Sequence, residues 1–333
     1  MCQMRRWFPS PDARPCEDQA VALWLIGCGA MAKSYFDVLA ELGVGFQVIG
    51  RSQSAAAAFE AEKGFPVVWG GLELALRSMT PPEQAIVAVG PSDLAGAASS
   101  LLEAGCRRIL LEKPGGLDSS EIGTLAQVSE SVVASVLVAY NRRYYGSVTT
   151  ARRLIADDGG VSSLRFEFGE KIDAVLDLRF AEPILNRWFL MNSSHVVDLA
   201  FHLAGRPSVL NADQSGSLDW HPSGAVFSGT GKTEVGVPFS YKADWRTSST
   251  WGLEIETRRR LLRFRSLETL TSTVDGTEET MPPENDFDRL FKPGLYRQVE
   301  AFLAEDDRLA CTVAQQASNS LDYDRMAGYV GGR

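Results

Sequence analysis

Between residues 21 and 140 the chain alternates short apolar runs with longer stretches of helical character. The runs at residues 21–26, 45–49, 66–69, 84–89, 107–111 and 132–140 read as strands bounded by turn residues. Residues 31–42, 53–63, 92–104 and 118–129 have helix-forming composition, and Gly43, Gly64 and Gly105 stand where a helix must stop. Strands joined by helical crossovers predict an α/β fold built on a doubly wound parallel sheet of the dinucleotide-binding kind.

After Tyr140 the period changes. A helical stretch at 144–156 runs into Asp157-Asp158-Gly159-Gly160, and Leu164, Phe166 and Phe168 then alternate with Arg165 and Glu167. The two-residue period returns at 235–245, 253–257 and 261–267, with turn residues at Thr247-Ser248-Ser249 and Asp275-Gly276. A mostly antiparallel open sheet with one wet face follows from that alternation. Helices are few here, and are predicted at 193–204, 295–304 and 313–326. The expected organisation is a disordered or extended segment at 1–20, a Rossmann dinucleotide-binding domain at 21–140 and a substrate-binding α/β domain at 141–333.

Length agrees with this division, since 333 residues at roughly 150 per domain suggest two domains. A chain with 45% hydrophobic and 23% charged residues is ordinary for a globular protein and is neither collagen, coiled coil nor disordered tail. The net charge of −9 sets the surface against nucleic acid and anionic membrane. No uncharged apolar run nears the roughly 18 residues that span a bilayer. Cys2, Cys16, Cys28, Cys106 and Cys311 are scattered without a C-x-x-C pair, which fits neither a disulfide framework nor a zinc site and points to a reducing cytoplasm. The first 20 residues lack the continuous apolar stretch of a secretory signal.

The chemistry-bearing residues gather at predicted strand ends. Gly27, Cys28, Gly29, Ala30, Met31 and Ala32 form a G-x-G-x-x-A turn between the first strand and a helix. There the glycines allow a tight turn and close approach of a pyrophosphate to the amides of the helix N-terminus. At the second strand end, where NAD sites commonly place a carboxylate, the chain reads Gly50-Arg51-Ser52. A guanidinium and a hydroxyl suit a 2′-phosphate, so NADP(H) is expected in preference to NAD(H). Gly90 and Pro91, after the fourth strand, and Glu112 and Lys113, after the fifth, are counted with the cofactor contacts. Glu112-Lys113-Pro114 closes the fifth strand at the edge where ligands bind in such sheets, and there Lys113 can polarise a carbonyl or accept a hydroxyl proton as hydride leaves the same carbon. Pro114 also admits a cis bond.

His195 follows Asn192-Ser193-Ser194 at a predicted helix start, with Ser193 or Ser194 as N-cap and the helix dipole favouring the neutral imidazole. Asp198 and His202 lie three and seven residues on, on one face, but nothing suggests a fourth ligand, so a hydrogen-bonded set is expected and no metal. Asn141 and Arg142 follow the sixth strand, and Arg179, Arg187 and Trp188 flank the His195 helix; an anion clamp and a stacking surface are the functional reading, surface charge and core packing the structural one. Arg258-Arg259-Arg260 reads as a solvated strand end or turn.

The ordered set Gly27 to Ala32, Glu112-Lys113-Pro114, Tyr140-Asn141-Arg142-Arg143 and His195-x-x-Asp198 resembles the Gfo/Idh/MocA oxidoreductases over nearly the whole chain from about residue 21. The resemblance implies an N-terminal Rossmann domain, and a C-terminal domain whose sheet supports substrate binding and homodimer or homotetramer contacts. It also implies hydride transfer at a hydroxyl or keto carbon of sugars, nucleotide sugars or cyclitols. Lys113 matches the family's catalytic lysine and His195 its catalytic histidine; Asn141, Arg142, Arg187, Trp188, Asn192 and His195 are then the expected substrate contacts. One departure stands out: where the family often has an aspartate four residues before the histidine, this chain has Met191, beside Asn192. That loss leaves two other readings open, a dinucleotide-sensing protein without catalysis, and imine reduction or redox-neutral epimerisation or elimination with tightly held cofactor.

Overall fold

The structure, a computed structural model, describes residues 22–247, 250–284 and 286–329. The expectation for residues 1–20, and Ser248-Ser249 of the predicted turn, lie outside the described residues.

Six short strands, β1 (Leu23–Ile26), β2 (Gln47–Gly50), β3 (Val67–Trp69), β4 (Gln84–Val87), β5 (Arg108–Leu111) and β6 (Ser135–Val138), pair in parallel in the order β3-β2-β1-β4-β5-β6. That order is the doubly wound one, with the reversal of direction between β1 and β4. Helices α1 (Ala30–Leu42), α2 (Gln53–Lys63), α3 (Leu72–Ser78), α4 (Leu94–Glu103) and α5 (Ser119–Ser131) make the crossovers. Every residue of β1 is buried because both sheet faces are covered: Leu23 and Leu25 pack with Tyr35 and Leu39 of α1, while Trp24 and Ile26 pack with the α4 and α5 layer. Gly43 and Gly64 end α1 and α2 in the left-handed conformation expected of helix stops. Only α3 escaped the sequence reading, being too short, at 7 residues with one buried position, to show a period.

The second half begins with α6 (Gly146–Asp157) and continues into an eight-stranded sheet. Its strands are β7 (Ser163–Phe168), β8 (Pro207–Ser215), β9 (Val226–Thr233), β10 (Pro238–Asp244), β11 (Trp251–Glu256), β12 (Leu261–Ser266), β13 (Thr269–Val274) and β14 (Thr277–Met281). All neighbouring pairs are antiparallel except β7 with β10. Two short helices, α7 (Ile172–Asp177) and α8 (Glu182–Leu185), lead to a π-helical turn at Phe189–Ser193 and then α9 (Ser194–Ala204). The alternation in β7 does what its pattern predicts: Leu164, Phe166 and Phe168 are buried under α9, with Phe168 edge-on to Phe189 at 5.1 Å, while Arg165 and Glu167 face outward and reach Glu254 and Lys242. Strand β9 was not legible because Gly229 and Gly231 replace the apolar signal. A Cβ on Gly229 would stand 2.5 Å from both the Asn211 carbonyl oxygen and the Tyr241 ring, so the tight crossing admits no side chain there.

The C-terminal segment comprises α10 (Phe287–Leu290), α11 (Leu295–Leu303), β15 (Cys311–Thr312) and α12 (Val313–Ala327). The sequence assigned it to the second half, yet it returns to the first sheet: β15 adds an antiparallel edge strand to β6, α11 packs on α1 and α12 on α5. No helix among the described residues is long and apolar enough to cross a membrane.

Candidate functional site

The turn after β1 is built for close backbone approach. Gly27 holds φ +123°, and a Cβ there would lie 2.3 Å from the Ala88 carbonyl oxygen at the end of β4. Ala32 is fully buried behind it, as close packing of helix on strand requires. Gly29 caps α1 with no side-chain hydrogen bond, no acidic residue stands in the first turn, and a Cβ on Gly29 would meet nothing within 4 Å. The amides of a 13-residue helix are thus open to an anion at the carboxyl edge of the sheet. Gly29 and Ala30 are exposed, Cys28 and Met31 half-buried, and Gly90 and Pro91 continue from β4 along the same edge. These residues fit a dinucleotide pyrophosphate.

At the end of β2 the structure adds a partner that the local sequence did not show. Arg51, its side chain 84% exposed, is ion-paired at 3.0 Å with Asp93 from the short turn after Pro91. Ser52 is committed in part to capping α2, where it accepts from the Ala55 amide at 3.3 Å.

Lys113 stands directly after β5, with a cis bond to Pro114. Its ammonium donates to the Met191 carbonyl in the π-helical turn. Desolvation, reinforced by the Arg142 guanidinium, pulls Lys113 down to about 8; Glu112 and Glu170 work in the opposite direction. Glu112 itself is buried and accepts from the Tyr35 hydroxyl at 2.7 Å.

Neither Ser193 nor Ser194 caps α9, because the helix runs on from the π-helical turn without a free N-terminus. The Ser194 hydroxyl instead bonds the Leu190 carbonyl four residues back, and Ser193 donates to Glu170 at 2.8 Å. His195 is held neutral by a different cause from the predicted dipole: burial, then the Arg142 and Lys113 charges, push it well below the ordinary histidine value. Its Nδ1 is buried with no hydrogen-bond partner among the described residues. Asp198 turns away from it into a buried ion pair with Arg143 at 2.6 and 2.8 Å, and no group of described residues could hold a metal ion.

A cavity of about 490 Å³ is lined by Arg142, Glu170, Lys171, Trp188, Asn192 and Trp251 among others; Lys113 is outside that lining and reaches the Met191 carbonyl next to Asn192. Of the residues expected to meet substrate, Arg142, Trp188 and Asn192 line it, whereas His195 is not in the lining. Asn141 does not: its amide is bonded to the Pro293 carbonyl at 2.8 Å and its oxygen accepts from Arg142 at 3.3 Å. Arg187 lies over the Tyr329 ring at 4.6 Å, and Arg179 is exposed, away from the lining. Arg260 pairs with Asp158, in keeping with a strand-end turn.

Glu170 is the residue that sequence reasoning missed. It is buried at the end of β7 and accepts from Asn192 Nδ2 at 2.9 and 3.1 Å and from Ser193. Burial raises its carboxyl above the usual range, while donors from Trp188, Ser193 and Asn192 work against that. A carboxylate therefore stands near Lys113, brought from the end of β7 rather than from the turn before His195. The only available signal was a charge ending the buried run of β7.

No protein-family model matches the sequence, and no curated protein sequence is significantly similar to it. Solved structures are similar in fold. UDP-N-acetylglucosamine 3-dehydrogenase from Acidithiobacillus ferrooxidans superposes with TM-score 0.68 at 16% identity, over 90% of this chain and 95% of that one. An oxidoreductase from Agrobacterium radiobacter in complex with NAD+, L-tartaric acid and magnesium gives TM-score 0.75 at 13% identity, covering 95% and 98%. Levoglucosan dehydrogenase in complex with NADH and levoglucosan gives 0.74 at 18%, covering 92% and 96%. These structures share this chain's fold, a parallel dinucleotide-type sheet joined to a mostly antiparallel one. Within that fold, both the turn at Gly27 and Lys113 lie at the carboxyl edge of the parallel sheet, and the cavity is walled by the second sheet and the loops around it.

Proposed function

We propose that the chain is an oxidoreductase that moves hydride between a nicotinamide dinucleotide, NADP(H) in preference to NAD(H), and a secondary alcohol or ketone carbon of a sugar, nucleotide sugar or cyclitol. The observation that carries this reading is the desolvated Lys113, pulled to about 8 at the carboxyl edge of a dinucleotide-type sheet, with its ammonium on the Met191 carbonyl next to Asn192 of a cavity of sugar size. Three solved neighbours named for sugar, nucleotide-sugar or NAD+ chemistry support it.

The dinucleotide would supply a two-electron hydride acceptor or donor on its nicotinamide ring. Gly27, Gly29 and the first turn of α1 would hold its pyrophosphate. In oxidation Lys113 Nζ, as the neutral amine, takes the hydroxyl proton while hydride leaves the same carbon; in reduction the ammonium returns that proton. His195, kept neutral, hydrogen-bonds the reacting oxygen through a ring nitrogen, and Glu170 with Asn192 fixes the wall beside it.

The pH dependence follows from the Lys113 value. Oxidation needs the amine, so kcat/KM should rise up to about pH 8 and then level; reduction needs the ammonium and should fall above about pH 8. Dinucleotide-coupled absorbance across a polyol and sugar panel measures both directions, and profiles flat through that range would remove Lys113 from the proton step.

Cofactor choice is tested at Arg51. With a 2′-phosphate bound, the guanidinium should exchange Asp93 for the phosphate, so Arg51→Ala should weaken NADPH about tenfold and leave NADH nearly unchanged. Equal losses for both dinucleotides, read by fluorescence titration, would contradict the preference.

A further inference from the structure

The cations of the cavity are not matched by its carboxylates. Arg143 and Arg142 are adjacent in sequence and opposite in circumstance. Arg143 is bidentate to Asp198 and donates to the Leu309 and Ala310 carbonyls. Arg142, half-buried, has no ion-pair partner among the described residues; its one hydrogen bond, to Asn141, is 3.3 Å long, and its Nε is buried without an acceptor. Its guanidinium lies over the Trp251 ring at 5.0 Å, which orients the charge without neutralising it. Lys171, exposed on the cavity wall, also lacks an ion-pair partner among the described residues, and Arg265 at the rim is 78% exposed, with only a 3.4 Å contact to Glu254. Both lining carboxylates are engaged: Glu170 by Asn192 and Ser193, and Glu268 by the Tyr145 hydroxyl. Glu268, Glu112 and Asp198 act on the Arg142 charge from a distance, but no carboxylate is ion-paired with it, so its donors remain available to an arriving anion.

Two further observations say where that anion comes from. The lining contains no residue from the parallel-sheet segment before Arg142, so these cations do not face the turn at Gly27 that suits a pyrophosphate. The rest of the wall is apolar and partly aromatic, with Trp188, Trp251, Val175 and Leu178, a surface on which the C–H face of a pyranose can lie.

We propose that the substrate is an anionic sugar derivative whose carboxylate or phosphate is bound by Arg142 and Lys171, with its ring against Trp188 and Trp251. This deepens the oxidoreductase reading and rests on it. Arg142 supplies a planar, two-donor fork on the inner side, and Lys171 a mobile point charge on the outer side. The −9 surface charge makes such local placement necessary, because the global field repels the ligand that this cavity attracts.

The test uses the full chain with D-glucuronate, glucose 6-phosphate and D-glucose as matched probes, each with NADPH or NADP+, reading thermal shift and turnover. At least one anionic probe should be preferred over glucose by about tenfold or more in affinity or kcat/KM, and which of the two distinguishes a carboxylate from a phosphate substrate. Arg142→Met should bring that ratio towards one; Lys171→Gln, at an exposed position that leaves the core untouched, should lower it severalfold. Glucose performing as well as both anions, no response to either anion, or both variants retaining the ratio would overturn the proposal. Dinucleotide affinity, measured separately by fluorescence titration, distinguishes the two levels: loss of anion preference with dinucleotide binding intact refutes only the substrate class, whereas absence of dinucleotide binding refutes the oxidoreductase reading beneath it.

Discussion

Replacing Lys113 with methionine is expected to lower turnover roughly a thousandfold while leaving dinucleotide affinity within about twofold. Methionine keeps the length and apolar stem of the side chain, so the local packing persists and only the titrating atom is removed. The same substitution should stabilise the protein at neutral pH. Because the folded-state value lies below the unfolded one, the ammonium is penalised in the folded protein at every pH below about 8, and the penalty fades as pH rises from about 8 towards 10.5. A shift from 10.5 to about 8 corresponds to on the order of 3 kcal/mol, from which the lost hydrogen bond to the Met191 carbonyl subtracts about 1 kcal/mol. Thermal denaturation at about pH 7 should therefore show the inactive variant melting higher than the parent, with the gap closing by about pH 10. A variant that is inactive and also less stable would point to a structural role; one that keeps its turnover would remove Lys113 from the chemistry.

Lys113 also marks how far the sequence could be read. Its place just beyond a buried apolar strand was legible because both faces of a parallel sheet exclude water, leaving the polar pair Glu112-Lys113 at the sheet edge. Its environment was not, since Glu170 and Met191 reach it from elements 57 and 78 residues away in the chain. The missing aspartate is the clearest case. Met191 appeared to delete a carboxylate, whereas in space the Met191 backbone oxygen receives Lys113 and Glu170 brings the negative charge from β7. The same limit applies at Arg51, whose neighbour Asp93 comes from another loop, and at Gly229, where a close crossing erased the strand period. Long-range pairing selected these residues, and local pattern carries no record of it.

Asp198→Ala should destabilise the fold by about 3–5 kcal/mol, the largest stability loss expected from any single charge in the region. The pair it breaks has side chains only 3% and 1% exposed, so neither water nor salt can take the place of the carboxylate. Arg143 would be left donating to the Leu309 and Ala310 carbonyls alone, a buried cation with dipoles but no counter-charge. The loss is also architectural, since Arg143 joins α9 to the segment that delivers β15 to the edge of the first sheet. Asp198→Asn keeps an acceptor without the charge and should fall between the parent and alanine. By comparison, the exposed Arg51 and Asp93 pair should cost almost nothing to break in the absence of dinucleotide. Urea denaturation of the three variants measures the ranking, and an Asp198→Ala loss below about 1 kcal/mol would show that the pair is not what locks the two halves. Turnover per folded molecule should drop far less than in Lys113→Met, because Asp198 is spent on Arg143 rather than on His195. The histidine and aspartate that a helical repeat places on one face thus divide, His195 left with an unpartnered Nδ1 and Asp198 holding the helix that carries it.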